Sequence, residues 1–401
     1  MTADQLTIRP PVQETDGEAI YQLQGSHWPG MEYVARRGRV AHSHLDWDVS
    51  RIGLDQQRLV AYWGVYKLHM RIGQAQVKTA GINLPITHSD WRGQGHMPRL
   101  LANSEAAQKA SGYGLSVINL THAYFFRFGY VFAWPETSFT IETEALPDTR
   151  PDLELVQVNA YDLMGRLDLA QLYNQQNATV TGTCQRPTYP RSKHPGTDYE
   201  PGYLIVDKGT SAGYFSTGRL EAGKRLFVDD SAGDTQQRLC LLAQLARRHQ
   251  CPQVHFSRLS YNSEMAIQLR RRNCLMETEY RHDGGYLVRI IDLQTTLQAL
   301  LPELTQRLQK TSFYRWSGAL SLQVEEQQAA LIFDRGQIHL EASAQTEHRL
   351  QGDQHLAQLI VGTYPPLETI AAGHLHLSGR AGELVEALFP AQHPQMPNED
   401  L

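Results

Sequence analysis

The residues whose types and spacing could do chemistry lie closest together at Arg92-Gly93-Gln94-Gly95-His96-Met97. This stretch lies in the segment Ala80 to Pro98, which reads as a strand, a glycine-rich turn and a helix start. A helix starting there aims several unpaired backbone N–H groups, and its positive end, at whatever faces the turn. Gly93 and Gly95 remove Cβ atoms from the path of an approaching anion, and Arg92 adds a full positive charge. The natural guest is a pyrophosphate. A glycine-rich turn also serves as a plain strand-to-helix connection, and the R-x-x-G pattern alone does not separate the two readings. The downstream order says more: an apolar strand, Leu115 to Leu120, then the aromatic turn Tyr124-Phe125-Phe126-Arg127-Phe128-Gly129-Tyr130.

Other chemistries find less support. His42 and His44 with Asp46, and His374 with His376, fall on single strand faces, short of the three or four convergent ligands a metal requires. They read as ordinary strand histidines. Cys184, Cys240, Cys251 and Cys274 have neither zinc-knuckle spacing nor the density of a disulfide framework, and are read as reduced, mostly buried thiols. No Ser/His/Asp or Cys/His arrangement can be argued from spacing.

The turn works only if the elements around it hold it. Met97, Leu100, Leu101, Ser104 and Ala107 recur at helical spacing, Pro98 suits a first turn, and Gly112 and Gly114 end the helix. A hairpin-like run from Leu59 to Ala80 precedes it. The Pro/Asp-rich joint Leu146 to Asp152 marks a first boundary, and a second falls near Pro302. Strands and helices intermix throughout, which predicts an α/β (α+β) protein. The expected parts are 1–146, 147–302 and 303–401. At about 150 residues per domain, 401 residues suffice for two to three domains. A formal net charge of −5 offers none of the clustered positive charge of a nucleic-acid binder. No apolar run approaches the ~20 residues of a membrane helix, and the polar start Met1 to Pro11 is unlike a signal peptide. A cytoplasmic protein follows, with neither nucleic acid nor membrane as partner.

Strand, anion-binding turn, helix, strand and an aromatic turn ending Phe128-Gly129-Tyr130 is the order of the acyl-CoA site in the GNAT superfamily of N-acetyltransferases. The whole chain resembles the enhanced intracellular survival (Eis) family, in which tandem GNAT-like domains precede a sterol carrier protein-like domain. The likeness rests on Arg92 to Met97, on Arg127-Phe128-Gly129-Tyr130, on Gly285 to Leu293 as the run that closes the second domain, and on Leu388-Phe389-Pro390 with the short tail.

The resemblance implies acetyl-CoA as co-substrate, no metal, and an aminoglycoside-, polyamine- or lysine-like amine as acceptor. Acetyl-CoA would lie along Leu84, Pro85 and Ile86, with Asn119 nearby and its pyrophosphate on Arg92, Gly93, Gln94, Gly95, His96 and Met97. The tyrosine that protonates the departing thiolate in GNAT enzymes falls here on Phe125, which carries no proton. Tyr124 takes over, water does, or activity is low; packing in an aromatic cluster is the other role open to Tyr124. The terminal carboxylate of Leu401 would be the base. Trp28, Glu32 and Asp400 would offer a cationic amine carboxylates and an aromatic face. Self-association as trimers or hexamers is also implied. In the second domain the matching turn is Val228 to Asp234, whose three carboxylates repel a pyrophosphate, so that domain is read as structural. A contrasting reading is a non-catalytic ligand- or lipid-binding protein with a retired site. The anion turn, which a retired site does not need, favours the enzyme.

Overall fold

The protein is described by a computed structural model over residues 6–27, 45–120, 123–148, 152–160, 163, 166–186, 201–217, 220, 223–281 and 283–397. Strand β1 (Leu6–Arg9) leads into helix α1 (Gln13–His27). Asp16 fixes this entry: its carboxylate pairs with Arg9 at 2.6 Å and accepts the Val12 N–H at 2.6 Å. Strands β2 (Arg51–Asp55), β3 (Arg58–Ile72) and β4 (Ala75–Thr87) form an antiparallel meander. The long β3–β4 hairpin turns on Gly73-Gln74, with Gly73 at φ +58°, a backbone state glycine enters without steric cost.

Helix α2 (His96–Ala110) follows the glycine turn. It buries Met97, Leu100, Leu101 and Ser104, as the spacing predicts, while Ala107 is half-buried. It ends at Gly112, φ +75°: the Gly112 N–H donates to Lys109 O at 3.1 Å and the Tyr113 N–H to Gln108 O at 3.0 Å, which satisfies two terminal carbonyls. Strand β5 (Leu115–Leu120), a 3₁₀ turn over Ala123–Phe128, and β6 (Val131–Trp134) come next.

The following stretch builds a second sheet from β7 (Glu136–Glu142), β8 (Glu154–Asn159), β9 (Pro201–Asp207), β10 (Thr210–Thr217), β11 (Leu226–Gly233), β12 (Gln253–Phe256) and β13 (Cys274–Glu279), in the order β13-β7-β12-β11-β10-β9-β8. Among the described residues it is accompanied by helices α3 (Leu167–Gln176), α4 (Thr235–Arg248) and α5 (Glu264–Arg270). Helix α3 starts after Arg166, which is extended at φ −89° and ψ 124°. The core packs Phe139, Ile141, Phe215 and Val254 against Leu239, Leu242 and Met265. Cys184, Cys240 and Cys251 are buried.

Strand β14 (Gly285–Ile290) corrects an expectation. Instead of closing the second sheet it returns to the first and pairs antiparallel with β5, from Gly285–Leu120 to Ile290–Leu115. The first sheet therefore reads β1-β2-β3-β4-β5-β14-β6. Tyr286, Leu287, Val288 and Ile290 are all buried, and such a near-continuous apolar run suits an interior strand covered on both faces. Helix α6 (Leu293–Gln309) starts at Asp292, whose carboxylate accepts the Thr295 N–H at 2.7 Å. Pro302, expected at a joint, lies inside α6. Next to it Glu303 accepts the Gln74 N–H at 2.9 Å, tying the helix to the β3–β4 hairpin.

A third sheet holds β15 (Gly318–Val324), β16 (Gln327–Asp334), β17 (Gln337–Glu341), β18 (Arg349–Gly352) and β19 (Leu375–Ser378), ordered β17-β16-β15-β18-β19. Helices α7 (Leu356–Val361), α8 (Pro366–Ala371) and α9 (Ala381–Leu388) accompany it. Compactness groups 1–133 with 281–392 in one unit and 134–280 with 393–400 in another, a division that follows strand partnership rather than the order of the chain. Among the described residues no helix is long and apolar enough to cross a membrane.

Candidate active site

Strands β4 and β5 run parallel for three pairs only, Thr79–Leu115, Ala80–Ser116 and Gly81–Val117, and then part. On its other side β4 bulges against β3: Tyr62 pairs with Ile86 and Gly64 with Asn83, so Leu84 and Pro85 oppose a single residue. Leu84 sits at φ +41°, a left-handed state that costs a branched side chain about 1–2 kcal/mol. The bulge frees the β4 backbone from β3 where the parting strands open, the place where an extended ligand can pair with it.

The glycine turn is braced from below. A 3₁₀ turn, Ser89–Trp91, is capped by His88 Nδ1, which accepts the Asp90 N–H at 3.3 Å. The Trp91 indole N–H donates to Asp55 at 2.9 Å and carries the Arg58 guanidinium 4.5 Å above its ring. Gly93 and Gly95 follow at φ +77° and +76°. A Cβ on either would meet no protein atom within 4 Å, and both stand in the left-handed conformation that glycine adopts without steric cost. Gly95 is the N-cap of α2 and supplies no side-chain acceptor, so the first-turn N–H groups remain available to an anion.

A cleft of about 590 Å³ opens in front of this terminus. It gathers most of the donor-site residues expected from sequence: Leu84, Pro85, Ile86, Arg92, Gly93, Gly95, His96, Met97 and Asn119. Gln94 is not among its walls; its side-chain amide donates back to Asp90 O at 3.2 Å. Arg92 is exposed and donates to Thr87 O at 3.2 Å and to His27 Nδ1 at 2.7 Å. Burial and the neighbouring Arg92 hold the His27 imidazole below its ordinary range, in the neutral form that accepts this bond. His27 sits 65 residues upstream at the end of α1, and no motif ties it to the turn. The His96 ring is buried in the cleft wall with neither nitrogen hydrogen-bonded among the described residues. Burial, with Arg99 adding repulsion, lowers its pKa.

Tyr124 and Phe125 both line the cleft. A 3₁₀ turn, unlike a strand, lets successive side chains share one opening. Phe125 is buried against Trp63, centroids 5.7 Å apart, while Tyr124 is 38% exposed and meets Phe125 and Phe128 edge-on at 5.1 and 5.2 Å. Arg127 also lines the cleft, with its guanidinium 5.4 Å from the Tyr124 ring. Trp28, Glu32, Asp400 and Leu401, with His42 and His44, lie outside the described residues.

The second sheet has the matching opening, where β11 and β12 run parallel from Leu226–Val254 to Val228–Phe256. Val228 to Gly233 are strand residues here, not a turn, which corrects the sequence reading. Asp234 is the N-cap of α4, its carboxylate accepting the Gln237 N–H at 2.8 Å, so part of the terminus is already satisfied. Asp230 is buried on Arg186 at 2.6 Å and on the Tyr214 hydroxyl at 2.7 Å. The cavity left there is about 50 Å³. Gln395 and Pro397 line it, and the Gln395 N–H donates to Thr181 O at 2.9 Å.

Residues 8–133 match the family model of the acetyltransferase (GNAT) domain. No curated protein matches the chain. Among solved structures, a GCN5-related N-acetyltransferase from Anabaena variabilis is similar over 98% of this chain and 99% of its own, with TM-score 0.75 and 19% identity. A conserved protein of unknown function from Enterococcus faecalis, described as a probable N-acyltransferase, has TM-score 0.77, 16% identity and the same coverage. Eis1 from Mycobacterium abscessus gives TM-score 0.69 and 15% identity over 97% of this chain and 98% of its own. At these identities the likeness is one of fold, and it spans both compact units.

Proposed function

We propose that the acetyltransferase domain formed by residues 8–133 transfers an acetyl group from acetyl-CoA to the primary amine of an aminoglycoside-, polyamine- or lysine-like acceptor. The observation that carries this reading is the uncapped start of α2 opening on the 590 Å³ cleft. The residues fit acetyl-CoA: N–H donors and Arg92 suit a pyrophosphate, and the bulge at Leu84 suits an extended amide chain. Bound acetyl-CoA supplies a thioester. Arg92, Gly93, Gln94, Gly95, His96 and Met97 hold the pyrophosphate, and Leu84, Pro85, Ile86 and Asn119 align the arm, which lowers the entropic cost of the encounter.

The amine must be neutral to attack. The terminal carboxylate of Leu401 accepts its proton, and Trp28, Glu32 and Asp400 hold the cationic acceptor beforehand. The Tyr124 hydroxyl donates a proton to the leaving sulfur, the task that Phe125 has no proton to perform. The remainder, 147–302 and the sterol carrier protein-like 303–401, supports the site without a second donor centre. The protein works in the cytoplasm and self-associates as trimers or hexamers.

Calorimetry of acetyl-CoA with the full-length protein tests the donor site. Micromolar binding, weakened about tenfold by Arg92→Ala, is expected; no binding at millimolar donor overturns the reading. A retired site remains the second reading, because Phe125 stands where an acid is usual. Tyr124→Phe decides between them: a fall of about 100-fold in CoA release at unchanged donor affinity is expected of a proton donor. No CoA release from the wild type with a broad amine panel supports retirement.

A further inference from the structure

We propose that Asp353, His355 and His374 form a binding site for one divalent transition-metal ion of the Zn²⁺ type. The three come from three places: Asp353 just past the end of β18, His355 at the N-cap of α7, and His374 just before β19. Gly352 pairs with Leu375 at the end of the β18–β19 ladder, which sets Asp353 and His374 opposite each other one step beyond it. Gly352 is the enabling residue, because a Cβ there would collide with the His374 carbonyl.

The donor atoms already converge. His355 Nδ1 lies 2.7 Å from Asp353 Oδ1, His374 Nδ1 lies 3.3 Å from Oδ2, and all the ligand atoms are within 4.8 Å of one another. A tetrahedral Zn²⁺, with bonds of about 2.0–2.1 Å, separates its ligand atoms by about 3.4 Å, a spacing near those already present. The two imidazoles lie face to face, centroids 3.6 Å apart and 13° from parallel, so one ring must rotate to bring both in-plane Nδ1 lone pairs onto one ion. The Asp353 carboxylate is oriented by the His355 backbone N–H at 2.9 Å, an outer support that does not compete for a metal. Two imidazoles, one carboxylate and no thiolate suit Zn²⁺, Co²⁺ or Ni²⁺ above Mg²⁺ or Ca²⁺. Three protein ligands leave a fourth position for water, which reaches these partly exposed side chains freely.

The site sits on a junction. Gln354, between two of the ligands, accepts the Ile290 N–H at 2.8 Å and donates to Glu325 at 3.0 Å. One turn on, Gln358 donates to Phe132 O at 2.9 Å. A metal clipping Asp353 and His355 to His374 would therefore stiffen the segment that holds β14 and β6 to the third sheet.

Titration of ZnCl₂ into the full-length protein by calorimetry tests the site. One equivalent bound with micromolar Kd, and a thermal midpoint raised by Zn²⁺, are expected. His374→Ala and His355→Gln should each lose at least tenfold in affinity, while His376→Ala, at an exposed position of β19, binds as wild type. The proposal fails if the wild type binds no Zn²⁺ at that strength, or if His374→Ala binds as tightly as His376→Ala. Circular dichroism of the half-exposed His374→Ala variant separates loss of a ligand from loss of fold.

Discussion

Helix α2 begins at Gly95, which has no side chain to offer, and its first N–H groups face a cleft of about 590 Å³. Helix α4 begins at Asp234, whose carboxylate takes the Gln237 N–H, above a cavity of about 50 Å³. Both helices follow a strand that parts from a parallel neighbour, β4 from β5 and β11 from β12. Architecture therefore supplies the opening twice, and local residues decide whether it is used. In the first region two glycines in left-handed conformation shape the turn before the helix; in the second a strand runs straight into a capped helix, and Asp230 is tied to Arg186 and Tyr214. The two regions differ in the cap and the turn, not in the order of elements.

Removing Arg186 should have the largest effect and confine it to stability. Arg186→Met strands the buried Asp230 carboxylate and should cost about 3 kcal/mol or more, read by urea unfolding, with acetyl-CoA affinity per folded molecule unchanged. A parallel loss of donor affinity would break the division of labour. Gly95→Val forces a β-branched residue to φ +76° and should weaken acetyl-CoA binding more than tenfold. Normal affinity in that variant would mean the uncapped terminus does not hold the donor. Asp234→Ala should cost about 1 kcal/mol of stability and leave donor binding untouched, the opposite signature at the equivalent position.

The smallest effect concerns acid. His27 and His96 are both held below their ordinary range, so the folded state binds fewer protons than the unfolded chain. Stability should be fully present above about pH 6.5 and fall as pH drops toward the lowered values. His96→Leu should flatten part of that slope in melting curves taken between pH 5 and 7.5, and an unchanged slope would clear His96 of the effect.

Much of the donor region was legible because its signals are local. Helical spacing named the buried face of α2, Gly112 named its end, and Arg92 to Met97 named the turn. At Gly93 and Gly95 the positive φ adds a dihedral demand that the sequence does not display, since dihedral demand and steric demand leave the same residue there. Val228 to Asp234 misled for a related reason: carboxylates in a row say nothing about whether each faces a ligand, an arginine or a helix end. His27 was invisible because its tie to Arg92 spans 65 residues. His374 was read with His376 along one strand, whereas the fold brings it to His355 and Asp353, partners that only the β18–β19 register reveals.

The position of β14 has a consequence for how the molecule is made. Its place in the first sheet is between β5 and β6, yet it leaves the ribosome about 165 residues after β5 is complete. At roughly 5–20 residues per second, the strand beside the donor cleft waits about 8–33 s for its neighbour, with hydrogen-bonding edges bare. The nascent N-terminal portion is thus the stage most in need of chaperone cover. A gene fragment ending near residue 133, although it spans the matched acetyltransferase domain, encodes an open sheet and should yield aggregates rather than a minimal enzyme.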